Sequence, residues 1–155
     1  MTYSLGANSR AECKGVHPDL VRVIERAIKL TTQDFAVHDG VRTLEEQKRL
    51  VARGASKTMN SRHLVRSDGY GHAADLVPWI NGQLRWEWGP IYHIAFAVQT
   101  AAKEYGVSLR WGGVWDRPLS DLPASPDGLK KAVEAYCVRH PGPDFIDGPH
   151  FELLS

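Results

Sequence analysis

The sequence predicts an α+β fold in which helices pack against one face of a small antiparallel sheet. Amphipathic helical patterns alternate with short apolar segments that are typical of strands. The strands are few, and the loops between the elements are long and polar. A chain of 155 residues buries a core without disulfides, so we expect a single domain over residues 1–155.

The first clear elements are a helix and a short strand. Apolar side chains at helical spacing predict a helix from Asp19 to Leu30. The apolar segment 35–37 predicts a strand, because it is short and is followed by the turn-forming pair Asp39-Gly40.

A second helix has a well-defined start. Thr43 is suited to cap it, and Glu46 three residues later completes a capping box. We expect this helix to end at Gly54. Residues 55–71 are polar and rich in turn formers, which predicts a loop, and residues 73–77 have the apolar character of a strand.

The second half of the chain contains the clearest helical pattern. An apolar face at helical spacing begins near Pro90 and ends at Gly106. The remaining predicted elements, in order, are a strand over 107–111, a loop over 116–128, a helix over 129–138 and a short strand at Phe145-Ile146.

Composition and charge argue against two classes of protein. The net charge is +1, and no run of Lys and Arg supplies the positive charge that nucleic-acid binding requires. The first thirty residues lack the apolar core of a signal peptide, and no segment approaches the roughly twenty apolar residues of a transmembrane helix. We therefore expect a monomer that is made in the bacterial cytoplasm and does not insert into membranes.

Three short segments contain the residue types of a catalytic site. They are Ser61-Arg62-His63, Gly71-His72-Ala73-Ala74-Asp75-Leu76 and Asp147-Gly148-Pro149-His150-Phe151-Glu152. Two further segments accompany them, namely Gly40-Val41-Arg42-Thr43 and Arg110-Trp111-Gly112-Gly113 with Trp115. Each segment alone is a weak signal, but the combination in this order is specific.

In this combination the sequence resembles the LAS group of zinc peptidases, which includes lysostaphin-type enzymes, D-Ala-D-Ala metallopeptidases and the hedgehog signalling domain. It is most similar to phage endolysins of the L-alanyl-D-glutamate endopeptidase type, from about Phe35 onwards. The resemblance implies a hedgehog/D-Ala-D-Ala-peptidase-like fold, with His63, Asp75 and His150 as ligands of Zn²⁺. Two imidazoles and one carboxylate leave a fourth position for water, which is typical of a catalytic zinc site.

The spacing of the first two implied ligands departs from the family pattern. The family's first His and its Asp lie seven positions apart, whereas His63 and Asp75 lie twelve apart. We favour an insertion within residues 65–70, because surface loops absorb extra residues at little cost. Asp68 and His72 remain the alternatives for the first ligand, although the odd spacing of His72 from Asp75 would point the two side chains to opposite faces of a strand.

Other residues are assigned to the reaction or to the substrate. Family members place an acid three residues before the last ligand, which implies that Asp147 takes a proton from water and passes it to the leaving amine. Arg42 is our choice to stabilise the negative charge on the carbonyl oxygen. Ser61 is expected to orient the site, and Trp111 and Trp115 to line the substrate cleft. We expect Trp79 and Trp86 to lie in the core or the cleft wall and not to stack on sugars.

The resemblance implies a peptidoglycan peptidase that cleaves between L-alanine and D-glutamate in the stem peptide. The lack of a signal peptide fits a phage lysis protein that waits in the cytoplasm until a holin opens the membrane. Two alternatives remain: a D-Ala-D-Ala carboxypeptidase or dipeptidase on the same scaffold, and a catalytically inactive zinc-containing wall-binding module. Asp147 argues against the second, because a purely structural zinc site needs no base.

Overall fold

The computed structural model describes residues 2–54, 61–142 and 146–154, and this part of the chain has the predicted α+β architecture. The α-helices are α1 (Ala7–Glu12), α2 (Pro18–Leu30), α3 (Leu44–Ala52), α4 (Trp88–Tyr105) and α5 (Pro126–Arg139). The strands are β1 (Phe35–Asp39), β2 (Ala73–Ile80), β3 (Gln83–Leu84), β4 (Leu109–Trp111), β5 (Val114–Pro118) and β6 (His150–Leu153). They pair in the order β1-β2-β6-β4-β5, with β3 on β2, and each pair is antiparallel.

The apolar core lies against one face of this sheet. Leu76 of β2 and Phe151 of β6 are both 1% exposed and pack with apolar side chains of α2 and α4. Because side chains alternate along a strand, the neighbours Asp75 and His150 lie on the opposite face. Among the described residues, no helix has both the length and the apolar character to cross a bilayer.

The predicted helices are confirmed with small changes at their ends. In α3 the Thr43 hydroxyl accepts from the Glu46 N–H at 3.1 Å, and the Glu46 carboxylate accepts from the Thr43 N–H at 3.2 Å, so the capping box is formed. Helix α4 begins two residues before Pro90 and ends at Gly106, whose φ of 66° is the left-handed conformation that favours glycine.

The last predicted strand is wrong. Ile146 belongs to no strand, and Phe145 lies outside the described residues. The strand that completes the sheet is β6 at His150–Leu153, where polar and apolar residues alternate. That alternation places Phe151 and Leu153 in the core and turns His150 and Glu152 to the other face.

The predicted loop over 116–128 is also partly wrong, because β5 ends and α5 begins within it. Proline misled the prediction at both points. Pro118 is tolerated because β5 is an edge strand, and Pro126 occupies the first turn of α5, where a missing N–H costs nothing. The short helix α1 and the two-residue strand β3 were not predicted, since neither has a periodic apolar pattern.

Trp79 and Trp86 do not have the buried positions that a core role requires. Their exposed fractions are 41% and 54% respectively. Strand β2 continues to Ile80, past the predicted end at Val77, and thereby turns Trp79 outwards. Proline is tolerated at position 78 because β6 pairs with β2 only at residues 73–75. At Pro78 the partner strand is β1, and no β6 carbonyl needs a donor there.

Candidate metal and catalytic site

Three side chains converge on the polar face of the sheet, and together they could hold a metal ion. His63 Nε2 lies 3.3 Å from His150 Nδ1 and 3.4 Å from Asp75 Oδ1, and His150 Nδ1 lies 3.3 Å from the same oxygen. Asp75 and His150 meet because they are direct partners in the antiparallel β2–β6 pair. The structure thus brings together the three residues that the sequence implied as ligands.

The orientation of His63 is fixed from several sides. Its Nδ1 donates to the Gly40 carbonyl oxygen at 2.7 Å, which leaves Nε2 directed at the other two residues. Its backbone carbonyl accepts from the Arg42 N–H at 2.9 Å. Gly40 must be glycine here, because an added Cβ would lie 1.9 Å from the Glu12 carbonyl oxygen.

Ser61 supports His63 and is nearly enclosed, with 7% of its surface exposed. Its hydroxyl oxygen accepts from the His63 N–H at 3.1 Å and from Arg42 Nη1 at 3.5 Å. These contacts are those of a residue that orients the site, and they leave the hydroxyl little access to a substrate.

Glu152 holds His150 in the same way that Gly40 holds His63. The Glu152 carboxylate accepts from His150 Nε2 at 2.9 Å, so Nδ1 is the nitrogen that faces Asp75. Sequence reasoning missed Glu152. The alternating pattern of β6 is the signal that places it on the face of His150, two residues away.

The extra residues near 65–70 form a small hairpin that does not displace His63. Val65 and Gly71 are bridged in antiparallel fashion, and the Arg66 N–H donates to the Tyr70 carbonyl at 2.8 Å. At its base the backbone is tightly packed, since a Cβ on Gly71 would lie 2.9 Å from the His63 carbonyl oxygen. The extra residues are therefore accommodated outside the convergent group.

The two alternative first ligands pair with each other instead of joining the group. His72 Nε2 lies 2.7 Å from Asp68 Oδ2, and the His72 ring packs 5.3 Å from the ring of His17. Neither His72 nor Asp68 belongs to the metal-binding group found among the described residues.

Asp147 lies in a turn beside the group. Its N–H donates to the Gly112 carbonyl at 2.8 Å, and its carbonyl accepts from the His150 N–H at 3.1 Å. Burial and the nearby negative charge of Asp75 raise the pKa of Asp147, while the positive charges of His150, His63 and Arg42 act in the opposite direction. A carboxyl group with a raised pKa is suited to exchange protons near neutral pH.

Charged groups of the site shift one another's pKa values. Burial would raise the pKa of Asp75, but its close contacts with His150 and His63 outweigh burial and hold that pKa well below its usual range. Burial would likewise lower the pKa of His150, yet contacts with Asp75 and Glu152 outweigh it and raise the pKa to about 9. The His150 imidazole is therefore protonated at neutral pH, and a metal ion would have to displace this proton in order to bind.

Arg42 provides a fixed positive charge at the edge of the site. Its Nε donates to Asp39 Oδ2 at 3.1 Å, and its Nη1 donates to Gln47 Oε1 at 2.7 Å. Its Nη2 lies 4.0 Å from Asp75 Oδ2. The guanidinium is thus held in place by two neighbours of its own segment and remains close to the convergent group.

Trp111 and Trp115 have different environments, and the cleft position expected for Trp111 is wrong. Trp111 is fully buried, and its Nε1 donates to the Gly148 carbonyl at 2.6 Å, so it supports the turn that follows Asp147. It is the larger residue of a core stack with Phe151, at 6.5 Å between ring centroids. Trp115 is half-buried, and its ring lies 5.3 Å from the His150 ring, where it can form part of a cleft wall.

Comparison with known proteins gives three matches. Residues 1–154 match the family model described as phage L-alanyl-D-glutamate peptidase. The L-alanyl-D-glutamate peptidase of Escherichia phage T5 is 32% identical over 120 residues, which are 75% of this chain and 84% of that protein. The crystal structure of the Serratia marcescens L-Ala D-Glu endopeptidase ChiX is similar with a TM-score of 0.70 and 35% identity, over 96% of this chain and 87% of that chain. The family match spans all the site residues described above.

Proposed function

Because the chain belongs to the phage L-alanyl-D-glutamate peptidase family, we propose that it hydrolyses the amide bond between L-alanine and D-glutamate in the stem peptide of peptidoglycan. The observation that carries this proposal is the convergence of His63, Asp75 and His150 beside the partly buried carboxyl group of Asp147. The described strands form one sheet, which supports the proposal of one catalytic domain.

Zinc is the metal that we propose for this site. Ligands at roughly 2.0–2.1 Å around a tetrahedral zinc ion lie about 3.3 Å from one another. The three ligand atoms of His63, Asp75 and His150 are separated by 3.3, 3.3 and 3.4 Å, which fits this geometry. When bound, zinc supplies Lewis-acid polarisation of the scissile carbonyl and lowers the pKa of water.

We propose Asp147 as the general base. It is three residues from His150 in a turn, and its raised pKa favours both acceptance and release of a proton. The carboxylate would take the proton from the attacking water and deliver it to the amine of D-glutamate as the amide bond breaks. Asp147→Asn would keep the size of the side chain, but its amide group could not transfer the proton.

Three other residues have supporting roles in this proposal. Arg42 would stabilise the negative charge that develops on the carbonyl oxygen, because its guanidinium is fixed near Asp75. Ser61 would hold both Arg42 and the backbone of His63. Trp115 would form a wall of the cleft beside His150.

The proposed setting is the bacterial cell wall. The named relative from phage T5 supports a phage lysis protein, and we propose a monomer that is made in the host cytoplasm and reaches peptidoglycan after holin-type opening of the membrane. Size-exclusion chromatography with light scattering tests the monomer.

Clearing of purified peptidoglycan sacculi tests the function and the ligand set together. We expect turbidity to fall with the wild-type protein, to stay constant with a chelator, and to recover when zinc is restored. His63→Ala should abolish clearing, whereas His72→Ala, a matched change at a buried histidine, should retain it. Clearing that survives His63→Ala would contradict the ligand set. Zinc binding without clearing, in well-folded wild-type protein, would support a binding module instead.

A further inference from the structure

A large cavity lies beside strand β1. Its volume is about 680 Å³, and α1, β1 and the β2–β3 hairpin form its walls. Its lining combines hydroxyl, amide, carboxylate and imidazole groups with one large aromatic ring. These side chains are Ser4, Asn8, Glu12, Asp34, His38 and Trp79.

Two exposed tryptophans mark this region. Trp79 lines the cavity with 41% of its surface exposed. Trp86 is 54% exposed, and its ring lies 5.3 Å from the ring of His38, which also lines the cavity. Large aromatic side chains that stay exposed on a folded chain are typical of binding surfaces.

The cavity adjoins another cavity that is lined in part by Arg42. A neighbouring cavity of about 490 Å³ shares Glu12 and His38 with it and is also lined by Asp39 and Arg42. Arg42 Nη2 in turn lies 4.0 Å from Asp75 Oδ2. The two cavities meet at these shared residues along β1, and together they are called the Trp79 groove here. The part of the groove that runs along β1 is about 13 Å long, which is the length of that strand.

We propose that the Trp79 groove binds the saccharide of peptidoglycan, the N-acetylated amino sugar that bears the stem peptide. This inference rests on the proposed function, because cleavage after L-alanine determines where the sugar lies. L-Alanine is the first residue of the stem, and its nitrogen is joined by an amide bond to the lactyl group of N-acetylmuramic acid. At roughly 3.5 Å per residue, the sugar ring lies within roughly 10 Å of the scissile bond.

The part of the groove beside Trp79 has a lining that suits a neutral sugar. The apolar face of a pyranose ring packs on an indole ring, and exposed Trp79 provides such a surface. Hydroxyl and acetamido groups need both donors and acceptors, which Asn8, Asp34 and His38 supply. Ala36 also lines the groove, and its small side chain leaves room for a ring between α1 and Trp79.

Steady-state kinetics with two matched substrates test the proposal. One is a disaccharide-tripeptide muropeptide, and the other is the same tripeptide with an acetyl group in place of the saccharide. Trp79→Ala should raise KM for the muropeptide roughly tenfold without a change in kcat, and should leave both constants for the acetylated tripeptide unchanged. Tyr105→Ala is the matched control, because Tyr105 is 39% exposed and lies at the end of α4, outside the groove.

A second variant keeps the test independent of lost stability at Trp79. Ala36→Leu fills the groove and should raise KM for the muropeptide alone, and thermal unfolding verifies the fold of both variants. Equal effects of both variants on the two substrates, or no effect on either, would overturn the proposal.

Direct binding separates this proposal from the proposed function. Addition of the N-acetylglucosaminyl-N-acetylmuramic acid disaccharide should shift the Trp79 indole N–H signal in NMR spectra, and Ala36→Leu should suppress that shift. If the wild-type protein cleaves neither substrate after L-alanine, the proposed function fails, and this titration alone decides on saccharide binding. No shift at Trp79 under saturating disaccharide would overturn the groove assignment.

Discussion

Single side chains decide which ring nitrogens of the site face the metal position. His63 and His150 each donate from their far nitrogen, the first to the Gly40 carbonyl at 2.7 Å and the second to the Glu152 carboxylate at 2.9 Å. These contacts fix the ring orientations and direct the other nitrogens towards Asp75. Glu152 also places a negative charge beside His150, whereas the Gly40 carbonyl places none beside His63.

Glu152 should therefore control metal affinity. We expect Glu152→Ala to weaken zinc binding roughly 10–100-fold, and Glu152→Gln to weaken it less, because the amide oxygen still accepts from His150. Competition against a chromophoric chelator measures the affinity, with the exposed Glu134→Gln as control. Zinc affinity in Glu152→Ala equal to that of the wild type would contradict this role.

Metal affinity should also depend on pH through His150. Against the effect of burial, contacts with Asp75 and Glu152 raise the pKa of this imidazole to about 9, so zinc would have to displace a proton at any lower pH. Zinc affinity should therefore rise with pH, by up to about tenfold per pH unit, until the pH approaches 9. Zinc titrations between pH 6.5 and 8.5 in a weakly coordinating buffer measure this slope, and a flat profile would contradict it.

At the scale of elements, the turn between β4 and β5 holds the turn that contains Asp147 in place. The Gly112 carbonyl accepts from the Asp147 N–H at 2.8 Å, and the Gly112 N–H donates to the His150 carbonyl at 2.9 Å. A Cβ on Gly112 would lie 2.1 Å from the Asp147 carbonyl oxygen, so this contact requires glycine.

Gly112→Ala should consequently displace Asp147, while Asp75 on β2 and His63, which do not contact Gly112, stay in place. We expect a loss in kcat of roughly a hundredfold, which is typical of a catalytic group moved by about 1 Å. Gly89→Ala is the matched control, since a Cβ there meets no atom within 4 Å. Full activity in Gly112→Ala, measured on muropeptides, would contradict this account of the turn.

Another contact between elements ties the end of α5 to β5. Asp116 accepts from Arg139 Nη2 at 3.0 Å and lies 3.0 Å from His140 Nε2. The Arg139 contact has the largest effect and lowers the pKa of Asp116. Burial opposes it, the His140 contact adds to the lowering, and the resulting pKa is about 2. Because its pKa is lower in the folded state, ionised Asp116 stabilises the fold at pH values above its unfolded-state pKa of about 3.9. That contribution is lost as the pH falls through about 2.

Asp116→Asn should lower the free energy of unfolding at pH 7 by at most about 1 kcal/mol, because solvent screens a partly exposed pair. The difference from the wild type should shrink as pH falls from about 4 to about 2. Urea unfolding across this range measures it, with the exposed Asp121→Asn on the same segment as control. A stability difference that persists at pH 2 would show that the ion pair is not its origin.

At the scale of the whole molecule, the features that could be predicted from the sequence are those that depend on local patterns. The Thr43 capping box, the end of α4 at Gly106 and the α+β class all follow from residues that lie close together in the chain. The motifs also selected three residues that the fold brings together, although 75 positions separate Asp75 from His150.

What the sequence did not predict depends on non-local pairing. The β2–β6 register places Asp75 opposite His150, and nothing near either residue specifies that partner. Trp111 and Trp115 look equivalent in the sequence, but the side-chain alternation across the β4–β5 turn buries one and leaves the other beside His150. Pairing across the sheet also creates the Trp79 groove, because Trp79 and His38 lie on different strands.

Mass spectrometry of the fragments released from purified sacculi tests the central claim most directly. We predict fragments whose new amino terminus is D-glutamate, with L-alanine retained on the glycan, and we predict that a chelator or Asp147→Asn prevents their release. Release of terminal D-alanine, or of fragments cut at any other stem bond while L-alanyl-D-glutamate stays intact, would contradict it.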